Sequence, residues 1–198
     1  MSDTRRLPEI KPVERRTFLR YSLVGGTTAG LAAFGAGLLG FLWPNLGEGF
    51  GATIDLGPAE DVLAEIRAER APFVYPSGRM YVVEYDPNLP GAEAAYGEIA
   101  PVTDSGGGLM ALYHKCVHLG CRVPWCQTSQ WFECPCHGSK YNKWGEWVGG
   151  PAPRGLDRFP ASIEGGNLVV NTGTVITGPP RTARVLQQEA EGPNCVDL

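Results

Sequence analysis

Five of the chain's six cysteines crowd between Cys116 and Cys136, and two of its three histidines, His118 and His137, lie among them. They form two six-residue boxes, Cys116-Val117-His118-Leu119-Gly120-Cys121 and Cys134-Pro135-Cys136-His137-Gly138-Ser139, separated by the twelve residues Arg122 to Glu133. Thiolate and imidazole are donors that transition metals accept, and cysteine pairs on an extracytoplasmic surface oxidise to disulfides. Such a density in 198 residues means metal, disulfide or both. A structural zinc module is the non-redox reading. Zinc fingers, however, space their ligands Cys-x2–4-Cys and His-x3–5-His. Here the pairs are Cys-x-His and Cys-x2-His, and two cysteines of the boxes are left over.

The elements that must position these boxes are short. Ala71-Pro72-Phe73-Val74-Tyr75, Met80-Tyr81-Val82-Val83-Glu84-Tyr85, Leu109-Met110-Ala111-Leu112-Tyr113 and Asn167-Leu168-Val169-Val170-Asn171 have strand character, with turn residues between them. Gly165-Gly166 signals a hairpin and Gly106-Gly107-Gly108 a loop. Only Ala59 to Arg70 reads as a helix, with Pro58 suited to an early position and Val62, Leu63 and Ile66 on one side. Many strands and one helix predict an all-β domain over 53–177, an antiparallel sandwich or barrel. Pro87 to Gly108 and 178–198 lack periodicity and read as a long loop and a tail.

Ahead of this domain, no charged residue occurs from Tyr21 to Leu46. As a helix, the 22 residues Ser22 to Trp43 span roughly 33 Å, enough to cross a bilayer. A cleaved secretory signal has a shorter apolar region and a small-residue cleavage site, and no good site precedes Pro44. An uncleaved anchor over 22–43 is expected, with 1–21 a cytoplasmic leader and 44–52, which includes Gly47, Gly49 and Gly51, a hinge. Basic residues flanking a first span stay inside, which puts the all-β domain on the outer face of the membrane. Glu14-Arg15-Arg16-Thr17-Phe18-Leu19-Arg20 resembles the twin-arginine signal of bacterial proteins exported already folded; ordinary flanking arginines are the alternative.

Charge follows the same division. Six Lys/Arg stand against three acids up to Trp43, so the remainder carries −7 of the net −4. This acidic module has no footprint for a phosphate backbone, so no nucleic-acid partner is expected.

The pattern Cys-x-His-x-Gly-Cys followed by Cys-x-Cys-His-Gly-Ser resembles that of the Rieske [2Fe–2S] proteins of cytochrome bc-type complexes. The resemblance takes in the anchor, the glycine-rich segment and Gly150-Pro151-Ala152-Pro153-Arg154, and so runs from about Arg15 to Gly173. It implies a cluster-binding subdomain over about 112–154. Cys116 and Cys134 would be thiolate ligands of one iron and His118 and His137 imidazole ligands of the other, with Cys121 and Cys136 joined as a disulfide. It further implies that Ser139 and Tyr141 donate hydrogen bonds to cluster sulfurs and raise the potential. Leu119 would meet a quinone pocket, and the Pro151–Pro153 stretch would cover the cluster's far side. Cys126 and Cys195 have no role in the pattern: a second disulfide and free or buried thiols both remain open, while His114 reads as structural.

By the same resemblance the chain would be the electron-transfer subunit of a bacterial inner-membrane quinol:cytochrome c (or plastocyanin-like acceptor) oxidoreductase, a dimeric complex. Its partners would be a cytochrome b-type membrane subunit, quinol and a c-type cytochrome. His137 would take the quinol proton, with His118 beside it. A rival is the Rieske small subunit of an arsenite-oxidase-like molybdoenzyme, although such subunits are usually not anchored. Ferredoxin partners of dioxygenases lack the disulfide cysteines.

Overall fold

The computed structural model describes residues 14–43 and 49–196, which fall into an N-terminal unit and a domain. In the first, helix α1 covers Arg15–Leu42, 28 residues. That is roughly 42 Å of helix, against a hydrocarbon core of roughly 30 Å. It starts before the expected Ser22 because no proline or glycine interrupts Arg15 to Tyr21, and the Phe18 N–H already donates to Glu14 O (2.9 Å). The helix is long and apolar enough to cross a membrane, and none of its side chains is buried within the protein. The rest of the expected leader, residues 1–13, lies outside the described residues.

The domain is built from antiparallel strands. β1 (Thr53–Pro58), β10 (Ala161–Glu164) and β11 (Asn167–Asn171) form one sheet, with β11 central. β2 (Phe73–Tyr75), β3 (Met80–Tyr85), β4 (Gly108–Tyr113) and β9 (Arg158–Phe159) form a second. β5 (Trp125–Cys126), β6 (Trp131–Glu133), β7 (Lys140–Tyr141) and β8 (Trp147–Gly149) form a third, inside the segment expected to bind the cluster. Helix α2 (Ala59–Glu69) buries Val62, Leu63 and Ile66, the stripe read from the sequence, and ends at Arg70 in the left-handed conformation.

Two apolar cores meet on the second sheet, which is why β3 and β4 lack the alternation of a half-exposed strand. Met80 and Val82 of β3, with Leu109 and Ala111 of β4, face α2 and Ile54, Leu168 and Val170 of the first sheet. Tyr81, Val83 and Tyr85, with Met110 and Leu112, face Phe132, Tyr141 and Trp144 of the third sheet's subdomain. The third sheet therefore stands on a rigid, doubly buried platform.

Two expectations need correction. The glycine-rich segment is not free from Gly49 on: the Phe50 N–H donates to Ser77 O (2.9 Å), and the Gly51 and Ala52 N–H groups donate to Thr172 Oγ1 (2.9 and 3.2 Å). Phe50 stacks on Tyr113 with ring centroids 5.3 Å apart. Residues 44–48 of the expected hinge lie outside the described residues. The loop 87–108 contains a short helix α3 (Ala92–Tyr96), whose Tyr96 is buried. The segment after 177 carries no regular element within the described residues, as expected, yet it is bound along the domain at many points.

Candidate metal centre

Each box folds as a turn closed by its own backbone. In the first, the Cys116 N–H donates to Cys121 O (2.7 Å) and the Gly120 N–H to Cys116 O (2.9 Å). In the second, the Cys134 N–H donates to Ser139 O (2.8 Å) and the Gly138 N–H to Cys134 O (3.0 Å). Gly120 and Gly138 have φ of 88° and 70°, where a Cβ is strained, which accounts for a glycine in both boxes. The first turn follows β4 and the second links β6 to β7, so the two face each other from firmly held strands.

The structure brings the expected donors together. Cys116 and Cys134 are buried and unpaired, and the His118 and His137 rings lie with centroids 4.9 Å apart. Cys121 and Cys136 form a disulfide between the loops, and the sulfurs of Cys121, Cys134 and Cys136 all lie within 4.8 Å of one another. Two free thiols and two imidazoles on facing loops fit a [2Fe–2S] group of mixed ligation. The disulfide removes the other two box cysteines from the donor set. Solvent reaches the histidine edge, where His137 is exposed, His118 half-buried and the neighbouring Leu119 70% exposed, and an open cleft lined by Cys116, Val117 and His118 runs along the first loop.

Hydroxyl groups meet the buried side. Tyr141 Oη lies 3.3 Å from Cys116 Sγ. Ser139, fully buried, accepts the Ala152 N–H at its Oγ (3.1 Å), which leaves its own hydrogen free to donate. The segment 150–153 packs tightly here, because a Cβ on Gly150 (φ 81°) would collide with the Gly138 carbonyl. Burial, and then the nearby Cys116, hold the Tyr141 phenol well above its ordinary pKa, so it stays protonated and able to donate. Burial also raises the Cys134 thiol, an effect that a bound cation reverses. His114 stacks on Tyr113 and meets the edge of Tyr81; burial, Arg122 and Arg79 lower its pKa.

The C-terminal segment, unassigned by sequence reasoning, belongs to this subdomain. Cys195 is joined to Cys126 by a disulfide. Glu146, fully buried, accepts the Val185 and Leu186 N–H groups (2.8 and 3.1 Å), together with Tyr96 Oη (2.5 Å) and Asn142 Nδ2 (2.7 Å). Glu133, equally buried, accepts the Val196 N–H (2.8 Å) and Ser129 Oγ (2.5 Å). The one signal in the sequence was the even cysteine remainder; a glutamate at a strand end or in a short loop carries no mark of burial.

Residues 80–160 match the family model described as the Rieske [2Fe-2S] domain. The chain is 32% identical over 164 residues to the chloroplastic cytochrome b6-f complex iron-sulfur subunit of Volvox carteri, covering 81% of this chain and 74% of that protein. It is 41% identical over 70 residues to the cytochrome b6-f complex iron-sulfur subunit of Chlorobaculum thiosulfatiphilum, 35% of this chain and 39% of that relative's length. Among solved structures, the plasma membrane Rieske protein of Synechocystis PCC 6803 is 27% identical with a TM-score of 0.38, covering 59% of this chain and 97% of that one.

Proposed function

The chain belongs to the Rieske [2Fe–2S] family, and from that premise we propose that it is the electron-transfer subunit of a quinol:cytochrome c (or plastocyanin-like acceptor) oxidoreductase. Cys116 and Cys134 would hold one iron of the cluster and His118 and His137 the other. When bound, the [2Fe–2S] group supplies a one-electron carrier between quinol and a c-type haem, with a potential raised by neutral imidazole in place of thiolate. The exposed ring of His137 accepts the hydrogen bond of the quinol hydroxyl and takes its proton. Leu119 seats the tip against a cytochrome b-type subunit. Tyr141 and Ser139 aim hydrogens at sulfur, while the Cys121–Cys136 disulfide keeps the two loops facing each other. The helix α1 anchors the chain in the bacterial inner membrane with the N-terminus inside, and Arg15 and Arg16 form part of a twin-arginine export signal.

What supports this reading most is the exposed edge of the site: an exposed imidazole, His137, and an exposed leucine, Leu119, on two loops whose unpaired cysteines are buried. Such an edge suits a partner that must touch a ligand ring without reaching the metal. Mild solubilisation of membranes and capture through this chain should co-purify b- and c-type haem subunits. Added quinol should then reduce the c-type haem, and a His137→Ala complex should not carry the electron. Capture with a molybdenum subunit and no haem b would overturn the proposal.

A further inference from the structure

Ser139 is held by the peptide between Pro151 and Ala152, and that peptide is gripped from its other side by a residue of the C-terminal segment. Arg181 Nη2 donates to Pro151 O (2.9 Å) and to Gly150 O (3.4 Å), and Nε donates to Ala152 O (2.7 Å). Its guanidinium lies over the Trp147 ring, 4.5 Å from the centroid, and the Trp147 indole N–H also donates to Gly150 O (3.2 Å). The backbone beside Arg181 is pinned as well: the Gly155 N–H donates to Pro179 O (2.8 Å), and Pro180 forms a bridge with Arg154. A planar fork whose orientation is fixed by stacking and by its own backbone loses little freedom on binding three carbonyls.

Planarity makes one consequence follow. In a trans peptide the carbonyl and N–H point in opposite directions, so Arg181 pulling on Pro151 O aims the Ala152 N–H at Ser139 Oγ. Hydrogen bonds in a chain polarise one another, and a cation at the head strengthens each successive donor. We propose that Arg181 is a positioning residue for the electron-transfer site: through the Pro151–Ala152 peptide it orients and polarises the Ser139 hydroxyl, and so raises the cluster's midpoint potential. This rests on the reading of Ser139 as a donor to cluster sulfur. A donor strengthened in this way stabilises the more negative, reduced state, so loss of Arg181 lowers the potential.

The test is an equilibrium redox titration of the full chain with its cluster, followed by electron paramagnetic resonance, on the parent, Arg181→Ala, Ser139→Ala and the double variant. Arg181→Ala is expected to lower the reduction equilibrium constant about threefold, about 28 mV at 59 mV per decade. On the Ser139→Ala background the same change is expected to have no effect. A purely through-space effect of the charge would persist there, and a purely structural role would loosen the cluster without moving its potential. Arg181→Lys keeps a charge near Trp147 but lacks the fork; it should give a smaller shift, and it carries the test if the alanine variant does not retain iron. An unmoved potential in the Arg181 variants, or an undiminished shift without Ser139, overturns the relay. A Ser139→Ala potential equal to the parent's overturns the reading of Ser139 itself, and the relay with it.

Discussion

The Tyr141 hydroxyl lies 3.3 Å from Cys116 Sγ, and both side chains are buried. β7 delivers the tyrosine from the second loop's strand, while the cysteine sits in the first loop, so this contact links the two halves of the site. Burial keeps the phenol protonated. With Cys116 as a ligand thiolate, Tyr141 is a donor to sulfur at any physiological pH.

Tyr141→Phe should therefore lower the midpoint potential while leaving iron content unchanged. A hydrogen bond to a charged acceptor is worth roughly 1.5–3 kcal/mol. At about 1.36 kcal/mol and 59 mV per decade, the ceiling on the shift is about 65–130 mV, reduced by whatever strength the bond has in the oxidised state. Redox titration of the full chain measures it. A shift below about 20 mV would mean the phenol does not favour the reduced state.

The Cys121–Cys136 disulfide closes a 15-residue separation that includes Cys134. Replacing both cysteines by Ala should leave a cluster that assembles but is lost at lower temperature or denaturant, since a cross-link of this span contributes about 2–4 kcal/mol. Bleaching of the visible absorption on heating reports the loss. A double variant as robust as its parent would show that the loops need no cross-link.

Glu146 accepts four hydrogen bonds and collects α3, the loop after β7 and the C-terminal segment onto one carboxylate. In Glu146→Gln, one oxygen becomes an NH2 group facing two donors, whichever way the amide turns. The cost should be about 2–5 kcal/mol, read as a lower midpoint of thermal unfolding of the cluster-loaded protein. An unchanged midpoint would mean that the carboxylate is dispensable where it is buried.

The long strands, α2 and the Gly165-Gly166 hairpin were legible because each spans enough residues to display a period or a turn signal. The third sheet was not: β5 and β7 have two residues each, β6 and β8 three, and their placement comes from tertiary contact. The boxes were readable since metal donors at fixed spacing are chemically conspicuous. Arg181, Glu133 and Glu146 were not, because their roles depend on backbone groups far along the chain. The glycine-rich segment misled for a related reason. Gly51, with φ of 99°, serves to seat its N–H on Thr172, and a proline there would undo that docking rather than merely stiffen a linker.

On the proposed reading, Cys116, Cys134, His118 and His137 together hold one [2Fe–2S] cluster. Pulsed electron paramagnetic resonance of the reduced full chain, with histidine labelled by nitrogen-15, tests it most directly alongside iron and sulfide analysis. Two irons and two sulfides per chain and two strongly coupled histidine nitrogens are expected, with one coupling lost in any His118 or His137 variant that retains iron, and both kept when His114 is replaced. A single zinc without sulfide, or a coupling that disappears with His114, would contradict it.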